Sequence, residues 1–142
     1  IQIGGRPIDD NVFSKIAFDL RDRIRAAALP LPGFFRFTCL MAMQAFLEAR
    51  VDWAIMEVGL GGRFDCTNIV QPQVTAITHL AMDHVDILGG TRASIAWHKA
   101  GIMKRGIPCY THSWQHPEAA AILKQEAERL GAPLCPVDPL PP

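Results

Sequence analysis

The sequence predicts an α/β fold with a mostly parallel sheet and flanking helices. Two observations carry that expectation. Short apolar runs without polar alternation, the mark of strands buried on both faces, alternate along the chain with helix-length segments. Glycine-rich stretches, Gly59–Gly62 and Gly89–Gly90, follow two of those runs. The length of 142 residues is one domain's worth, and 49% apolar with 20% charged residues suits a folded core rather than a disordered chain.

Taken in order, Ile1 to Ile3 reads as the tail of a strand turned by Gly4-Gly5. Asp9 or Asp10 can cap a helix carrying Val12, Phe13, Ile16, Phe18, Leu20 and Ile24, which Pro30, Pro32 and Gly33 break. A second helix is expected from about Phe34 to Ala49, apolar on most faces and therefore expected to lie against a sheet. Trp53 to Val58 reads as a strand buried on both faces and ending at Gly59. Val74 to Thr78 is the next strand, Thr91 to Met103 a helix, and Ile107 to Thr111 a third strand. Pro117 opens a helix that runs to Leu130, and Pro133 to Val137 forms a last short strand. Five of the final ten residues are proline, so 138–142 reads as a linker or cut end after a single domain over 1–137.

Composition excludes several classes. Fourteen basic residues balance fourteen acidic ones, so no global field attracts nucleic acid or anionic lipid. The cysteines at 39, 66, 109 and 135 include no C-x-x-C pair, which argues against a zinc ribbon or a disulfide scaffold and for reduced thiols. The longest apolar run, Phe37 to Leu47, is far below the roughly 20 residues of a spanning helix. The chain opens on Ile rather than Met, so absent targeting signals carry no weight.

In open parallel sheets, ligands bind beyond the carboxyl ends of the strands. Glu57 sits at one such end, before Gly59-x-Gly61-Gly62, and Asp83-His84 follows the next strand and leads into Gly89-Gly90. A carboxylate beside glycine-rich backbone suits Mg²⁺ held against phosphate, although imidazole is a less usual ligand for a hard cation. Each feature also has a plainer reading. Glu57 could be a paired structural carboxylate, and His84 a loop cap beside Asp83. The glycine loop matches neither common phosphate-binding pattern and could be only a tight turn. His112 and His116 straddle a strand-to-helix break and read as solvated surface. Met41, Met43 and Phe46 read as core, and Lys99, mid-helix beside His98, as a surface lysine.

Three ordered segments change that balance. Met56 to Asn68, reading M-E-V-G-L-G-G-R-F-D-C-T-N, resembles the E-V-G-x-G-G-x-x-D-x-T-N signature of the folylpolyglutamate synthases, in the Mur ligase superfamily. Leu80-Ala81-Met82-Asp83-His84 with Leu88-Gly89-Gly90-Thr91 resembles that family's second signature. Ile95 to Ile102 resembles its K-A-G-I segment, and Ile1 to Gly5 and Phe35 to Thr38 also fit. The Phe-Arg-Phe version and Cys66 are closer to the eukaryotic branch, and the resemblance covers nearly the whole chain.

The resemblance implies a Rossmann-like, incomplete Mur-ligase-type central domain of an ATP- and Mg²⁺-dependent amide ligase. Such an enzyme phosphorylates the terminal carboxylate of a folate with ATP and joins L-glutamate to it through the acyl phosphate. It implies that Glu57 and His84 are Mg²⁺ ligands. It also implies that Lys99 is carbamylated, serving catalysis and helping to hold a second Mg²⁺, and that Asp65 and Cys66 contact the pterin-bearing substrate. It further implies a monomer without nucleic-acid partners or a membrane span, in the cytoplasm, mitochondria or both. His79 departs from the small polar residue common in relatives. The family's phosphate-binding loop, its serine Mg²⁺ ligand and its glutamate-binding domain have no counterpart here, so the 142 residues alone are expected to be inactive. A dihydrofolate synthase or bifunctional enzyme would carry the same signatures. A non-catalytic paralogue serving as a binding or scaffold module is the alternative from another class.

Overall fold

The structure, a computed structural model, describes residues 1–138, which fall into two compact units, Ile1–Glu57 and the residues from Val58 onward. Of the proline-rich end expected over 138–142, all but Asp138 lies outside the described residues.

The first unit opens with a small antiparallel hairpin. β1 (Gln2–Ile3) and β2 (Arg6–Pro7) pair across the Gly4-Gly5 turn. The Asp9 carboxylate then accepts the Asn11 amide at 2.8 Å and caps α1 (Asp10–Ala26), the helix that the Asp-Asp pair and the apolar spacing predict. α2 (Phe34–Glu48) follows the Pro-Leu-Pro-Gly break. Ile16 and Leu20 on α1 meet Met41 and Ala45 on α2, with Ile1, Ile3, Ile8 and Phe37 around them. α2 does not lie on a broad sheet as its composition suggests: one stripe is covered by α1, while Phe34, Phe35, Leu40 and Leu47 face outward. The strand expected over 53–58 is a second correction. These residues enter no ladder among the described residues, and Ile55 is 94% exposed. An apolar run becomes a strand only when a neighbour accepts its backbone bonds, and propensity cannot supply that neighbour.

The second unit holds the parallel sheet. A single 3₁₀ turn at Cys66–Ile69 precedes β3 (Thr75–Ile77). α3 (Val85–Leu88) and α4 (Arg92–Ala100) lead to β4 (Cys109–His112), and α5 (Pro117–Leu130) leads to β5 (Leu134–Val137). The strands lie in the order β3-β4-β5, all parallel, with Thr75 opposite Cys109 and Cys109 opposite Leu134. α4 and α5 pack together over this sheet. Ala96, Ala100, Ala119 and Ala127 let them approach closely around Ile77, Leu80, Met103, Cys109 and Leu123.

Local chemistry explains the boundaries. Thr91 and Ser94 form a reciprocal capping box at the start of α4. The helix expected to reach Met103 stops at Ala100, which puts Lys99 in the last turn rather than mid-helix. Pro117 occupies the first turn of α5, and the His116 ring accepts the Glu118 amide at 3.3 Å. His116 therefore caps a helix rather than merely facing water. His112 is likewise more than solvated surface: its ring lies 5.8 Å from that of His79, and Nδ1 accepts the Trp114 amide at 3.2 Å. No helix among the described residues is long and apolar enough to cross a membrane.

Leu123 is fully buried between α5 and the sheet. Leu123→Ala is expected to cost about 2–5 kcal/mol, read as a lowered denaturant midpoint with unchanged slope.

Candidate active site

The first and third signatures meet in space. The glycine loop at residues 59–65 lies across the C-terminal end of α4, and two glycines make the approach possible. Gly62 holds φ of 138°, and a Cβ there would come within 2.9 Å of the Ile102 side chain and 3.1 Å of the His98 carbonyl oxygen. Across the contact, a Cβ on Gly101 would overlap the Cα and Cβ of Arg63. The glycine of K-A-G-I is thus small because Arg63 occupies the space a side chain would need.

Arg63 closes the helix end. A helix leaves its last four carbonyls without intrahelical donors. Here the Arg63 guanidinium donates to the Trp97 carbonyl at 2.9 and 3.2 Å, and the Arg63 amide donates to that of His98 at 2.8 Å. The Ile102 and Met103 amides serve Lys99 and Ala100 at 3.3 and 3.0 Å. A cation at this end also complements the helix dipole. The same guanidinium lies 3.9 Å over the Trp97 ring and donates to the Glu126 carboxylate of α5 at 2.5 Å. The pair is largely dry, its side chains 16% and 8% exposed. Arg129 also donates to Glu126, at 2.7 and 3.1 Å. Its hydrogen bond, with that of Arg63, outweighs the burial penalty and holds the Glu126 carboxyl below its ordinary range.

The loop beyond Arg63 is tied just as closely. Asp65 accepts the Thr67 amide and hydroxyl at 2.9 and 2.6 Å and the Leu60 amide at 3.1 Å. Partial burial works to raise its pKa, but these donors prevail and lower it. Cys66, half-buried, begins the 3₁₀ turn that Asp65 caps. Asn68 donates to the Arg63 and Gly101 carbonyls at 3.1 and 3.0 Å and accepts from the Lys104 ammonium at 2.7 Å. The Asp and Asn of the first signature are therefore structural members of the loop, whatever else they touch.

The remaining candidates differ in setting. His84 holds a left-handed backbone (φ 49°, ψ 38°), uncommon for a residue with a side chain and concentrated at functional positions. Its amide is capped by Asp83 at 2.8 Å, as the loop-cap reading expects, and its ring Nε2 stands 3.5 Å from the same carboxylate. A carboxylate beside an imidazole is the pairing that tunes metal-binding histidines. Glu57, exposed, ends the first unit. Lys99 is half-buried, and no ion pair or hydrogen bond engages its ammonium among the described residues. No three His, Cys, Asp or Glu side chains converge among the described residues. A single carboxylate fits the sparse protein contribution usual for Mg²⁺, whose shell is mostly phosphate and water, whereas the His84 imidazole is the less usual donor for a hard cation. The Lys99 ammonium fits a cation only after conversion to an anion.

The second unit belongs to the class of parallel-sheet α/β folds, with the glycine loop packed against the C-terminal end of α4. No protein-family model matches the chain. The mitochondrial folylpolyglutamate synthase of Bos taurus is 42% identical over 144 residues, which take in 96% of this chain and 24% of that protein. A folylpolyglutamate synthase (FPGS) solved as an FPGS–AMPPCP–folate complex has a TM-score of 0.87 at 36% identity, covering 96% of this chain and 34% of that one. The bifunctional folylpolyglutamate synthase/dihydrofolate synthase of Yersinia pestis has a TM-score of 0.83 at 36% identity, covering 96% of this chain and 32% of that one. Over the residues it spans, the chain is similar to the folylpolyglutamate synthases. It spans about a quarter of the bovine protein's length and about a third of the solved chains.

Sequence reasoning missed Arg63 and Glu126. The signal for Glu126 was present: Ala119, Leu123 and Ala127 mark the buried stripe of α5, and Glu126 lies on it, a charge where an apolar residue is expected. Removing the Arg63 cation by Arg63→Met is expected to cost about 3 kcal/mol in chemical denaturation, because Glu126 loses a buried partner. The pH dependence has a definite sign. Because the folded Glu126 pKa is depressed, its stabilisation is complete above the ordinary value of 4.5 and is lost as pH falls through the lower folded value. Glu126→Gln is therefore expected to flatten the fall in melting temperature on acidification below about pH 4.5.

Proposed function

We propose that this chain supplies part of the ATP-binding domain of a folylpolyglutamate synthase, an ATP-dependent ligase that lengthens the glutamate tail of folates. The observation that carries this reading is the 42% identity to the bovine enzyme across 96% of the chain, with all three signatures intact. The similar solved protein bound to AMPPCP and folate supports an ATP site and a folate substrate. A carboxylate oxygen of folate attacks the γ-phosphorus of ATP and ADP departs. The glutamate amine then attacks the acyl carbon, phosphate leaves with the C–O electron pair, and the amine proton is lost as the amide forms.

In this reading Glu57 and His84 are Mg²⁺ ligands, and Asp83 orients the His84 ring. Bound Mg²⁺ supplies charge neutralisation on the phosphates. Lys99 is carbamylated, which turns an unpartnered cation into a carboxylate-like group. Asp65 and Cys66 face the pterin-bearing substrate, with Asp65 kept ionised by its loop donors. The enzyme acts as a monomer in the cytoplasm, mitochondria or both. The 142 residues alone do not ligate glutamate, because they span only about a quarter of such an enzyme. Similarity to the bifunctional Yersinia pestis protein favours one second reading, in which dihydropteroate is also a substrate.

The test is incorporation of labelled glutamate into folate by the full-length protein with ATP and Mg²⁺. The expected product is a folate one γ-linked glutamate longer, with ¹⁸O from the folate carboxylate recovered in phosphate. His84→Ala and Lys99→Ala are each expected to lower kcat by about 10²-fold. Phosphate without ¹⁸O rules out the acyl phosphate, and labelling of dihydropteroate identifies the bifunctional form. No glutamate transfer to either substrate rejects the ligase reading.

A further inference from the structure

The Lys99 side chain springs from a turn that the glycine loop braces on both sides of that residue, while the Lys99 and Ala100 carbonyls accept the Ile102 and Met103 amides. Arg63 binds the carbonyls of the two residues before Lys99, Trp97 at 2.9 Å and His98 at 2.8 Å. Asn68 binds that of Gly101, two residues after it, at 3.0 Å. The Lys99 carbonyl would lie only 3.3 Å from a Cβ on Gly62, so the loop comes close to the peptide of that residue because Gly62 has no side chain. The clamp has one external anchor, Glu126 on α5, whose carboxylate accepts a single Arg63 Nη2 hydrogen bond at 2.5 Å, while the Nε–Nη2 fork itself sits on the Trp97 carbonyl. Among the described residues no hydrogen bond or ion pair holds the Lys99 ammonium, so no polar contact of its own competes with the turn in placing it.

We propose that Arg63, braced by Glu126, is the positioning residue for Lys99: the pair fixes the last turn of α4 so that the Lys99 amine is presented for carbamylation. The inference rests on the reading of Lys99 as a carbamylated site residue. A lysine carbamate forms when the neutral amine attacks CO₂. The new N–C bond is made at the expense of one C=O π bond, and the amine proton passes to water. Its occupancy at a given bicarbonate level therefore depends on where the amine is held, and a loosened turn lowers it.

The experiment follows the ¹³C carbamate resonance of the full-length protein equilibrated with ¹³C-bicarbonate, with Lys99→Ala assigning the signal. Glu126→Gln keeps the shape and removes the anchor's charge, and Arg63→Lys keeps the charge and removes the fork. Both are expected to lower carbamate occupancy at fixed bicarbonate by about tenfold, which is a shift of about 1.4 kcal/mol in the carbamylation equilibrium. Raising bicarbonate is expected to restore the signal and, with it, kcat, at unchanged KM for folate. Arg129→Ala removes only the outer partner of Glu126 and is expected to leave the signal as it was. Should Glu126→Gln fail to fold, Arg63→Lys decides alone. A carbamate in the unsubstituted protein that persists unchanged in the folded variants overturns the positioning role while leaving the Lys99 reading standing. Activity that excess bicarbonate does not restore overturns it as well, since that is the behaviour of a general structural defect. No carbamate in the unsubstituted protein overturns the Lys99 reading, and this inference with it.

Discussion

The dry ion pair between Arg63 and Glu126 is the constraint on which the second unit depends. A buried carboxylate is costly without a cation, and a guanidinium is costly without acceptors that match its fork. Both costs are met at once where the glycine loop, the end of α4 and the face of α5 come together. The loop cannot shift without uncovering carbonyls of α4, and α5 cannot slide without stripping Glu126. Small residues do the rest. Gly62 and Gly101 let two backbones touch, and the alanines of α4 and α5 bring the helices within reach of one ion pair.

This arrangement gives the signature motifs a physical meaning. In E-V-G-x-G-G-R-F-D-C-T-N, the glycines admit α4, the Arg caps it, the Asp turns the loop, and the Asn binds the glycine carbonyl of K-A-G-I. The two segments are 33 residues apart, yet they interlock as one object. Residues that pack the loop and residues proposed for chemistry are thus neighbours. Asp65 does the first visibly, and the function proposed for it is an addition to that work. Lys99 and His84 are different: among the described residues the Lys99 ammonium makes no hydrogen bond or ion pair, and the exposed His84 ring has only the exposed Asp83 carboxylate beside it.

Much of the architecture was legible beforehand. α5 runs over the residues that Pro117 and the apolar stripe mark out, and α1 begins where the Asp pair can cap it. Three parallel strands appear where unalternated apolar runs end in polar loops. Legibility failed at Trp53 to Val58 and on α2. Both are apolar enough for burial, but burial requires a surface, and within the first unit α2 packs along one stripe against α1 and the Ile1, Ile3 and Ile8 side chains. The sequence offered the candidate site as a set of positions and not as a set of roles. Spacing singled out Glu57, Asp83 and His84, whereas Lys99, Asp65 and Cys66 came only from family resemblance.

Caps, turn residues and hydrophobic period act over a few neighbours along the chain, so they place helices, strand segments and loops from the letters alone. Motif order likewise carried the family, since three spaced signatures do not arise by composition. Pairings that join distant positions obey no such local rule. That Arg63 would find Glu126, 63 residues away, rather than water, depends on how α4 and α5 pack. The desolvation that makes this pair strong exists only once the fold has closed around it. The same holds for Gly101, an ordinary helix-ending glycine in the sequence, whose missing side chain is required only because Arg63 arrives there from another part of the chain.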